Sequence, residues 1–333
     1  MKRVTIKDIA HNLGLHHSTV SRALRFSSEV NAETRERVIN YAQSKGYQIN
    51  RNALLLRGVR SNIIGVIVPN IHHNFFSNFV SIVTRLAFES GFIVAIFQSE
   101  ESLVQEIEIV NSIIQQNLAG VIFSHSMETE EVSHFNKLDQ YKIPIVCFDR
   151  VTKSLNKSAV VLNNEATLRN VVRKLSAMGY SKIAYLSGAS SIQLFRERQN
   201  GYIGGLEEIN ASYSNCVALA GAFTIQKGQE LIKELWMHDE KPDALIFDSH
   251  FLAIGALSYL KKNHPGCTDN LGIASFGGDP CLSLYAENTI IIKQPEKQMA
   301  EAALDLLLSA IDNPAADKVE IIEFQAEIID NKL

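Results

Sequence analysis

Apolar positions recur at two different spacings along this chain, and the change of spacing divides it into two parts. In residues 1–47 they recur every three or four positions, as in amphipathic helices. From Ile63 onward, short continuous apolar runs alternate with segments of helical periodicity. That alternation is typical of α/β domains with buried parallel strands. The pattern predicts a small all-α unit followed by a larger α/β unit.

The first part is predicted to contain three short helices. Thr5 and Asp8 form a variant capping box at the first helix, and Gly14 supplies the left-handed residue that ends it. A second short helix follows, and a third is capped by Asn31 and closed by Gly46. This arrangement favours a helix-turn-helix, whose second helix enters the major groove of DNA. The alternative is a small helical bundle with no role in DNA binding.

Charge is divided unevenly between the two parts. The 333 residues have a net charge of −4, yet residues 1–60 contain eleven Lys and Arg against four Asp and Glu. This segment carries +7 and the remainder −11. A basic head on an acidic body indicates that the head meets a polyanion.

Four motifs in the head carry a family resemblance: VTIKDIA at residues 4–10, TVSRAL at 19–24, ETRERV at 33–38, and Gly46-Tyr47. Together they resemble the head of the LacI/GalR repressor family without a gap. The resemblance implies that bases are read by His16, His17, Ser18 and Arg22. Arg22 is the most specific candidate, because a guanidinium can bond O6 and N7 of guanine together. The His16-His17-Ser18 segment departs from common family versions, so the operator sequence is not predicted.

The same resemblance implies contacts to the DNA backbone, which position the head rather than specify sequence. The matching residues are Thr5, Thr19, Ser21, Asn31, Thr34, Tyr47 and Asn50. Residues 48–60 correspond to the family's hinge helix, in which Leu56 enters the minor groove and Ala53 lets paired helices approach. Ile49 stands where the family usually has proline. Without the resemblance, the leucine run here would indicate core packing.

Residues 61–333 contain two series of apolar runs that we interpret as buried strands. The first comprises residues 63–68, 92–97, 121–123 and 145–148, and the second comprises 183–186, 216–219, 244–247 and 273–276. Two such series predict two doubly wound parallel sheets, with a ligand at the carboxyl ends of their strands. A cleft between two lobes is therefore the expected pocket. The glycines of residues 201–205 suit helix packing better than phosphate binding.

The resemblance continues through this second part at Val68-Pro69-Asn70, Asp149-Arg150, Arg196-Glu197-Arg198 and Lys293-Gln294-Pro295. It implies a two-lobed sensor like the periplasmic binding proteins, with crossovers near residues 160, 290 and 320. The effector-binding candidates are Phe75, Phe76, Asp149, Arg198, Phe223, Ser249, His250, Asp279 and Gln294. Carboxylate and guanidinium groups bond sugar hydroxyls, and an aromatic ring offers a face for stacking. Phe75 and Phe76 could instead be core residues, and Asp149 could pair with Arg150.

Gly277 occupies a position where relatives carry a carboxylate, which leaves open whether Asp279 takes its place. With Arg198 and His250 expected near the mouth of the cleft, a phosphorylated or otherwise acidic sugar is a hypothesis beside a neutral one.

Other classes of protein are disfavoured. The four cysteines are scattered, which predicts no metal site, and no cofactor is expected. Walker A, HExxH and GxSxG motifs are absent from the sequence, so we do not expect an enzyme. The chain shows no secretory signal and no apolar run of the roughly 18 residues that a membrane span needs. These features disfavour a transport protein and predict a cytoplasmic one.

The sequence thus predicts a homodimeric, DNA-binding regulator of carbohydrate genes, most simply a repressor, that pairs through its sensor lobes and responds to a sugar or sugar phosphate. The alternative is a regulator of the same fold controlled by a protein co-regulator or a non-sugar metabolite. The direction of regulation is not predicted.

Overall fold

A computed structural model describes residues 4–24, 29–47, 61–152, 155–189, 191–211, 217–277, 282, 285–286, 288–314 and 318–331. The chain divides into two compact units, residues 1–60 and 61–333. None of the helices within the described ranges has the length and apolarity needed to cross a bilayer.

The smaller unit is helical and has its own core. It contains α1 (Ile6–Leu13), α2 (His17–Ala23) and α3 (Ala32–Ser44). The predicted capping box is present: the Asp8 amide donates to Thr5 Oγ1 at 3.3 Å, and the Thr5 amide donates to the Asp8 carboxylate at 2.8 Å. Gly14 ends α1 in the left-handed region at φ 65°. Ile9, Val20 and Val38 bring one residue from each helix into the core.

The larger unit contains two six-stranded sheets, each forming the centre of one lobe. The amino-terminal lobe (N lobe) has the strand order β11-β5-β4-β3-β1-β2. Its strands are β1 (Ile63–Val68), β2 (Ile93–Gln98), β3 (Gly120–Phe123), β4 (Ile145–Phe148), β5 (Ser158–Leu162) and β11 (Ile321–Phe324). Its helices are α4 (Asn74–Glu89), α5 (Leu103–Gln116), α6 (Asn136–Gln140) and α11 (Glu296–Asp312). All strand pairs in this sheet are parallel.

The carboxyl-terminal lobe (C lobe) repeats the plan, with the order β12-β10-β9-β8-β6-β7. Its strands are β6 (Ile183–Gly188), β7 (Val217–Ala220), β8 (Ala244–Phe247), β9 (Gly272–Phe276), β10 (Thr289–Lys293) and β12 (Glu327–Asn331). Its helices are α7 (Asn164–Ala177), α8 (Gln193–Glu208), α9 (Ile225–Leu235) and α10 (His250–Asn263). The predicted fold class, a helix-turn-helix head with a two-lobed α/β sensor, is confirmed.

The chain passes between the lobes three times, at residue 163, at residues 294–295 and at residues 325–326. These crossings explain why β10 and β12 pair antiparallel, whereas the other strand pairs within the described ranges are parallel. Strand β10 leaves the C lobe at Lys293, and β12 enters that lobe beside it at Glu327, so the two must run in opposite directions. Strands β5 and β11 both leave the N lobe, at Leu162 and Phe324, and are parallel.

Glycines set the separation of the packed helices α7 and α8. A Cβ added at Gly201 would lie 2.1 Å from the Glu165 carbonyl oxygen, and one at Gly205 would lie 2.8 Å from Val172 Cβ. No side chain fits at the first position unless the α7 backbone moves. The stretch 201–205 therefore serves helix packing, as the sequence indicated.

Gly201→Ala is expected to destabilise the larger unit by roughly 1–3 kcal/mol, because it overpacks a backbone contact. Urea unfolding followed by circular dichroism measures the change. Gly221→Ala is the matched control, since a Cβ at Gly221 has nothing within 4 Å. Equal midpoints for the two variants would contradict the packing argument.

Candidate functional site

The base-reading candidates lie together at the start and on the exposed side of α2. His16 caps this helix: its Nδ1 lies 3.4 Å from the Ser18 amide nitrogen and 2.8 Å from Ser18 Oγ. The His17 ring packs on His16, with centroids 4.2 Å apart. Arg22 follows Ser18 by four residues and so shares its helix face. The four side chains form one polar surface.

Arg22 is held by an exposed ion pair, in which its Nε lies 3.1 Å from Glu29 Oε2. Both side chains are more than half exposed. Exposed ion pairs contribute little free energy, about 1 kcal/mol or less. A guanine can therefore replace Glu29 as the partner of this guanidinium at small cost.

Several backbone-contact candidates also stabilise the head itself. Thr5 belongs to the capping box, and Asn31 Oδ1 accepts a hydrogen bond from the Thr34 amide at 2.7 Å. Tyr47 packs against the head core, and partial burial raises the pKa of its hydroxyl. The remaining candidates on α2 are Thr19 and Ser21, both partly exposed. The predictions at Asn50, Ala53 and Leu56 lie outside the described residues.

In the larger unit, residues that follow the carboxyl ends of parallel strands in both lobes face one interlobe cleft. Eight of the nine effector-binding candidates line a cavity of about 50 Å³ there: Phe75, Phe76, Asp149, Arg198, Phe223, Ser249, His250 and Gln294. Asp279 lies outside the described residues. A second cavity of about 700 Å³ shares Asp149 and Leu194 with the first. Sites for drug-sized ligands span roughly 300–1,000 Å³, so the smaller cavity by itself is too small for such a ligand, whereas the larger one lies within this range.

Asp149 sits at the end of β4 in a left-handed backbone conformation, with φ 58°. Gln294, on the second crossover, donates its Nε2 to Asp149 Oδ1 at 3.2 Å. Burial raises the pKa of the Asp149 carboxyl, and the nearby charges of Arg198 and Arg150 oppose that effect. Asp149 therefore links the N lobe to a crossover while facing the cleft.

Arg150 points to a carboxylate other than its neighbour Asp149. Its Nη1 and Nη2 donate to the two Glu101 oxygens at 2.7 and 3.0 Å, and Nη1 also reaches the His125 carbonyl oxygen at 3.2 Å. Burial alone would raise the pKa of Glu101, but Arg150 holds it below its usual value. The carboxylate that Arg150 hydrogen-bonds is thus Glu101, and Asp149 acts on Arg150 through its charge.

Arg198 forms an ion pair with Asp248, a residue that the sequence did not predict as part of the site. Its Nη1 donates to Asp248 Oδ1 at 2.8 Å, and its Nε donates to Asn164 Oδ1 at 2.9 Å. The guanidinium carbon lies 3.5 Å from the centre of the Phe276 ring. A signal was present in the sequence, because in both lobes an Asp directly follows a four-residue apolar strand that ends in Phe, at Asp149 and at Asp248.

The backbone conformation at Gly277 and the neighbouring His250 ring both disfavour a side chain at this position. This residue has φ 89°, a conformation that L side chains rarely adopt, and a Cβ would lie 2.8 Å from His250 Nδ1. His250 therefore fills the space in which relatives were expected to place a carboxylate.

His73 bridges the cleft, although sequence reasoning did not select it. It precedes α4 in the N lobe, and its ring centroid lies 5.1 Å from that of Phe251, 6.0 Å from that of His250 and 6.2 Å from that of Phe223, all in the C lobe. Burial first, and then the charges of His250 and Arg150, lower the pKa of His73 to about 4. A neutral imidazole therefore occupies this aromatic cluster at neutral pH.

The cleft combines aromatic surface with fixed polar groups. Phe75 and Phe76 line the cavity and also belong to the N-lobe core. The prediction that they contact an effector and the alternative that they are core residues are therefore compatible. Asp149 supplies an acceptor, and Arg198 and Gln294 supply donors. Such an arrangement can hold a polyhydroxylated molecule by hydrogen bonds and ring stacking.

Comparisons with known proteins agree with this architecture. Residues 61–276 match the family described as "Periplasmic binding proteins and sugar binding domain of LacI family", and residues 5–50 match "Bacterial regulatory proteins, lacI family". The sucrose operon repressor of Klebsiella pneumoniae is 27% identical over 323 residues, covering 96% of each chain.

Two solved structures share the fold. The lac repressor dimer bound to operator and the anti-inducer ONPF has a TM-score of 0.81 at 21% identity, covering 98% of each chain. The Cra transcriptional dual regulator of Pseudomonas putida, in complex with fructose 1-phosphate, has a TM-score of 0.74 at 17% identity, covering 82% of this chain and 100% of that one.

His73 is expected to make stability depend on pH. Its folded-state pKa, about 4, lies below the ordinary 6.5, so the unfolded chain binds a proton that the folded chain excludes. Its contribution is lost as pH falls from about 6.5 to about 4, by up to roughly 3 kcal/mol. In His73→Gln, urea unfolding should show a shallower loss of stability across this window.

His238→Gln, at an exposed histidine, is the control and should keep the wild-type pH dependence. The interpretation fails if His73→Gln and wild type lose stability in parallel.

Proposed function

Because the chain belongs to the LacI family of bacterial regulatory proteins, we propose that it represses carbohydrate metabolism genes and responds to a sugar-class effector. The observation that carries this proposal is the convergence of the effector candidates from both lobes and a crossover on one cleft. The same chain carries a helix-turn-helix head. The sucrose operon repressor, which this chain resembles along 96% of its length, supports a carbohydrate-responsive role.

The head is proposed to read its operator through His16, His17, Ser18 and Arg22. The backbone-contact residues and the hinge at 48–60, with Ala53 and Leu56, would position it and bend the DNA. Because its partner is DNA, we place the protein in the cytoplasm. Its relatives are transcription regulators rather than enzymes, which agrees with a binding function.

A second copy of the chain is proposed to pair through the sensor lobes. Strand β2 is an edge strand of the N-lobe sheet. Around it, Phe88, Ile93 and Ile96 are exposed by 77%, 47% and 48%. An exposed apolar edge strand can associate with the same surface of a second chain. A dimer with two-fold symmetry would place two heads on the two halves of a palindromic operator. The related lac repressor structure is a dimer bound to operator.

Regulation would follow from lobe closure. An effector that binds one lobe arrangement more tightly shifts the population toward that arrangement. Because the hinge links the head to the sensor lobes, this shift would change the affinity of the head for DNA. Reciprocity then requires DNA to change effector affinity by the same factor. The sign, induction or co-repression, depends on which lobe arrangement favours the operator.

The test is selection of DNA from a random library by the purified full chain, followed by a sugar screen on the selected duplex. An inverted repeat whose affinity changes with a sugar supports the proposal. An inverted repeat that responds to no sugar would redirect the effector assignment to a protein co-regulator or a non-sugar metabolite. Failure to enrich any sequence would overturn the regulator proposal.

Arg22→Ala should reduce discrimination between selected and random DNA by about 1–3 kcal/mol, the range for one bidentate guanine contact. Fluorescence anisotropy on both duplexes at fixed salt measures the difference. Arg37→Ala, which removes an equal charge from an exposed position of α3, should weaken binding to both duplexes similarly. Unchanged discrimination in Arg22→Ala would remove this residue from the base-reading set.

Ile96→Glu should convert the dimer to a monomer by placing a charge in the proposed interface. Sedimentation velocity reports the change. Ile321→Glu is the matched control, because Ile321 is 64% exposed on β11, the opposite edge strand of the same sheet. A dimeric Ile96→Glu variant would place the interface elsewhere.

A further inference from the structure

Among the described residues of the interlobe cleft, Arg150 and Arg198 are the arginines, and each is already paired with a carboxylate. Arg150 is paired with Glu101 by two hydrogen bonds, and Arg198 is paired with Asp248 at 2.8 Å. Both guanidinium side chains are less than 5% exposed. A cation that is already paired attracts a further anion far more weakly than a free one.

Asp248 is fixed in place independently of Arg198. Its carboxylate accepts hydrogen bonds from the Tyr185 hydroxyl at 2.6 Å, the Ser187 hydroxyl at 3.1 Å and the Gly188 amide at 2.8 Å. Its side chain is fully buried. Because these three groups all belong to β6, the carboxylate cannot swing away when a ligand approaches the arginine. Asp248 is thus a built-in counter-ion.

Arg198 is equally constrained. Asn164 accepts from its Nε on one side, and the Phe276 ring lies under its plane. A ligand phosphate could therefore not draw the guanidinium away from Asp248 without breaking a hydrogen bond and a stacking contact. Its remaining N–H groups can donate hydrogen bonds, and a hydroxyl oxygen accepts them without bringing a second negative charge beside Asp248.

The larger adjoining cavity has a surplus of negative charge. Among its described lining residues, Asp149, Glu197 and Glu323 accept hydrogen bonds from side-chain amides. The two cations on the same lining have carboxylate partners, since Lys157 meets Asp139 at 2.7 Å and Arg169 meets Glu165 at 2.9 Å. The approach to the shared Asp149 is therefore unfavourable for an anion.

From these two observations we infer that Asp248 is a specificity-determining residue, which makes the cleft select uncharged polyhydroxylated effectors and reject phosphorylated ones. This inference rests on the proposed function and narrows its ligand class. It also explains the placement of Asp149, which remains available to accept hydroxyl hydrogen bonds beside the aromatic rings.

Asp248→Asn tests the inference, because it removes the counter-ion while keeping its size and an acceptor oxygen. Isothermal titration of the full chain with inorganic phosphate and with glucose 6-phosphate should show affinity at least about tenfold higher than in wild type. Adding Arg198→Gln should abolish the gain. Glu234→Gln, at an exposed acid on α9, removes the same charge far from the ion pair and should leave affinity unchanged.

Wild-type protein provides a second measurement that does not depend on the folding of a variant. A thermal-shift screen compares each neutral sugar with its own phosphate ester. Stronger stabilisation by the phosphate member of any pair would overturn the inference, and so would an Asp248→Asn variant that folds without gaining phosphate affinity.

These outcomes are separable from failure of the proposed function. If neutral sugars bind wild type and alter DNA affinity while Asp248→Asn gains nothing, the function stands and the counter-ion role falls. If Asp248→Asn gains phosphate but no sugar affects DNA binding, charge selection stands and the carbohydrate-response proposal falls.

Discussion

A guanidinium buried in protein must be paired, because the cost of taking an isolated charge out of water reaches several kcal/mol. In this chain that constraint organises the C-lobe side of the cleft. Arg198, on α8, requires Asp248 at the end of β8, and Asp248 in turn engages three groups of β6. Asn164, the first residue of α7 after a crossover, completes the set. The position of the arginine is thereby fixed by two strands and two helices.

On the N-lobe side of the cleft, the buried guanidinium of Arg150 is likewise paired with a carboxylate. Arg150 follows β4, and Glu101 reaches it from the loop after β2. His73 then enters the C-lobe aromatic cluster as a neutral ring, since burial and the charges of His250 and Arg150 disfavour its protonation more than the charge of Glu101 favours it. The charged groups in this cleft are thus paired, so that little net charge remains. Ligands would then be distinguished mainly by their shape and their hydrogen-bonding groups.

Local sequence signals predicted the elements that are stabilised locally. The capping box at Thr5, the left-handed Gly14 and the apolar runs of β1, β4 and β8 all depend on neighbouring residues, and the structure has them at the predicted positions. Strands β5, β10, β11 and β12 were not predicted as strands. Their pairing depends on where the chain crosses between lobes, which no short window of sequence contains.

The candidate site divides in the same way. Most effector candidates follow a strand end and so converge on the cleft, but their partners depend on long-range pairing. Arg198 and Asp248 are fifty positions apart, and Arg150 and Glu101 are forty-nine apart. Adjacent residues, such as Asp149 and Arg150, point to different partners. Ion-pair choice is therefore the least predictable property of this site.

The three crossings have a consequence for biosynthesis. Neither lobe is a continuous segment: the N lobe needs α11 and β11, and the C lobe needs β12. Met299, Leu304 and Leu307 of α11 are buried in the N-lobe core, which stays incomplete until they leave the ribosome. The head, by contrast, draws the core residues that the structure describes from positions 4–47 alone. A nascent chain can therefore display a folded DNA-binding head long before it has a sensor to govern it.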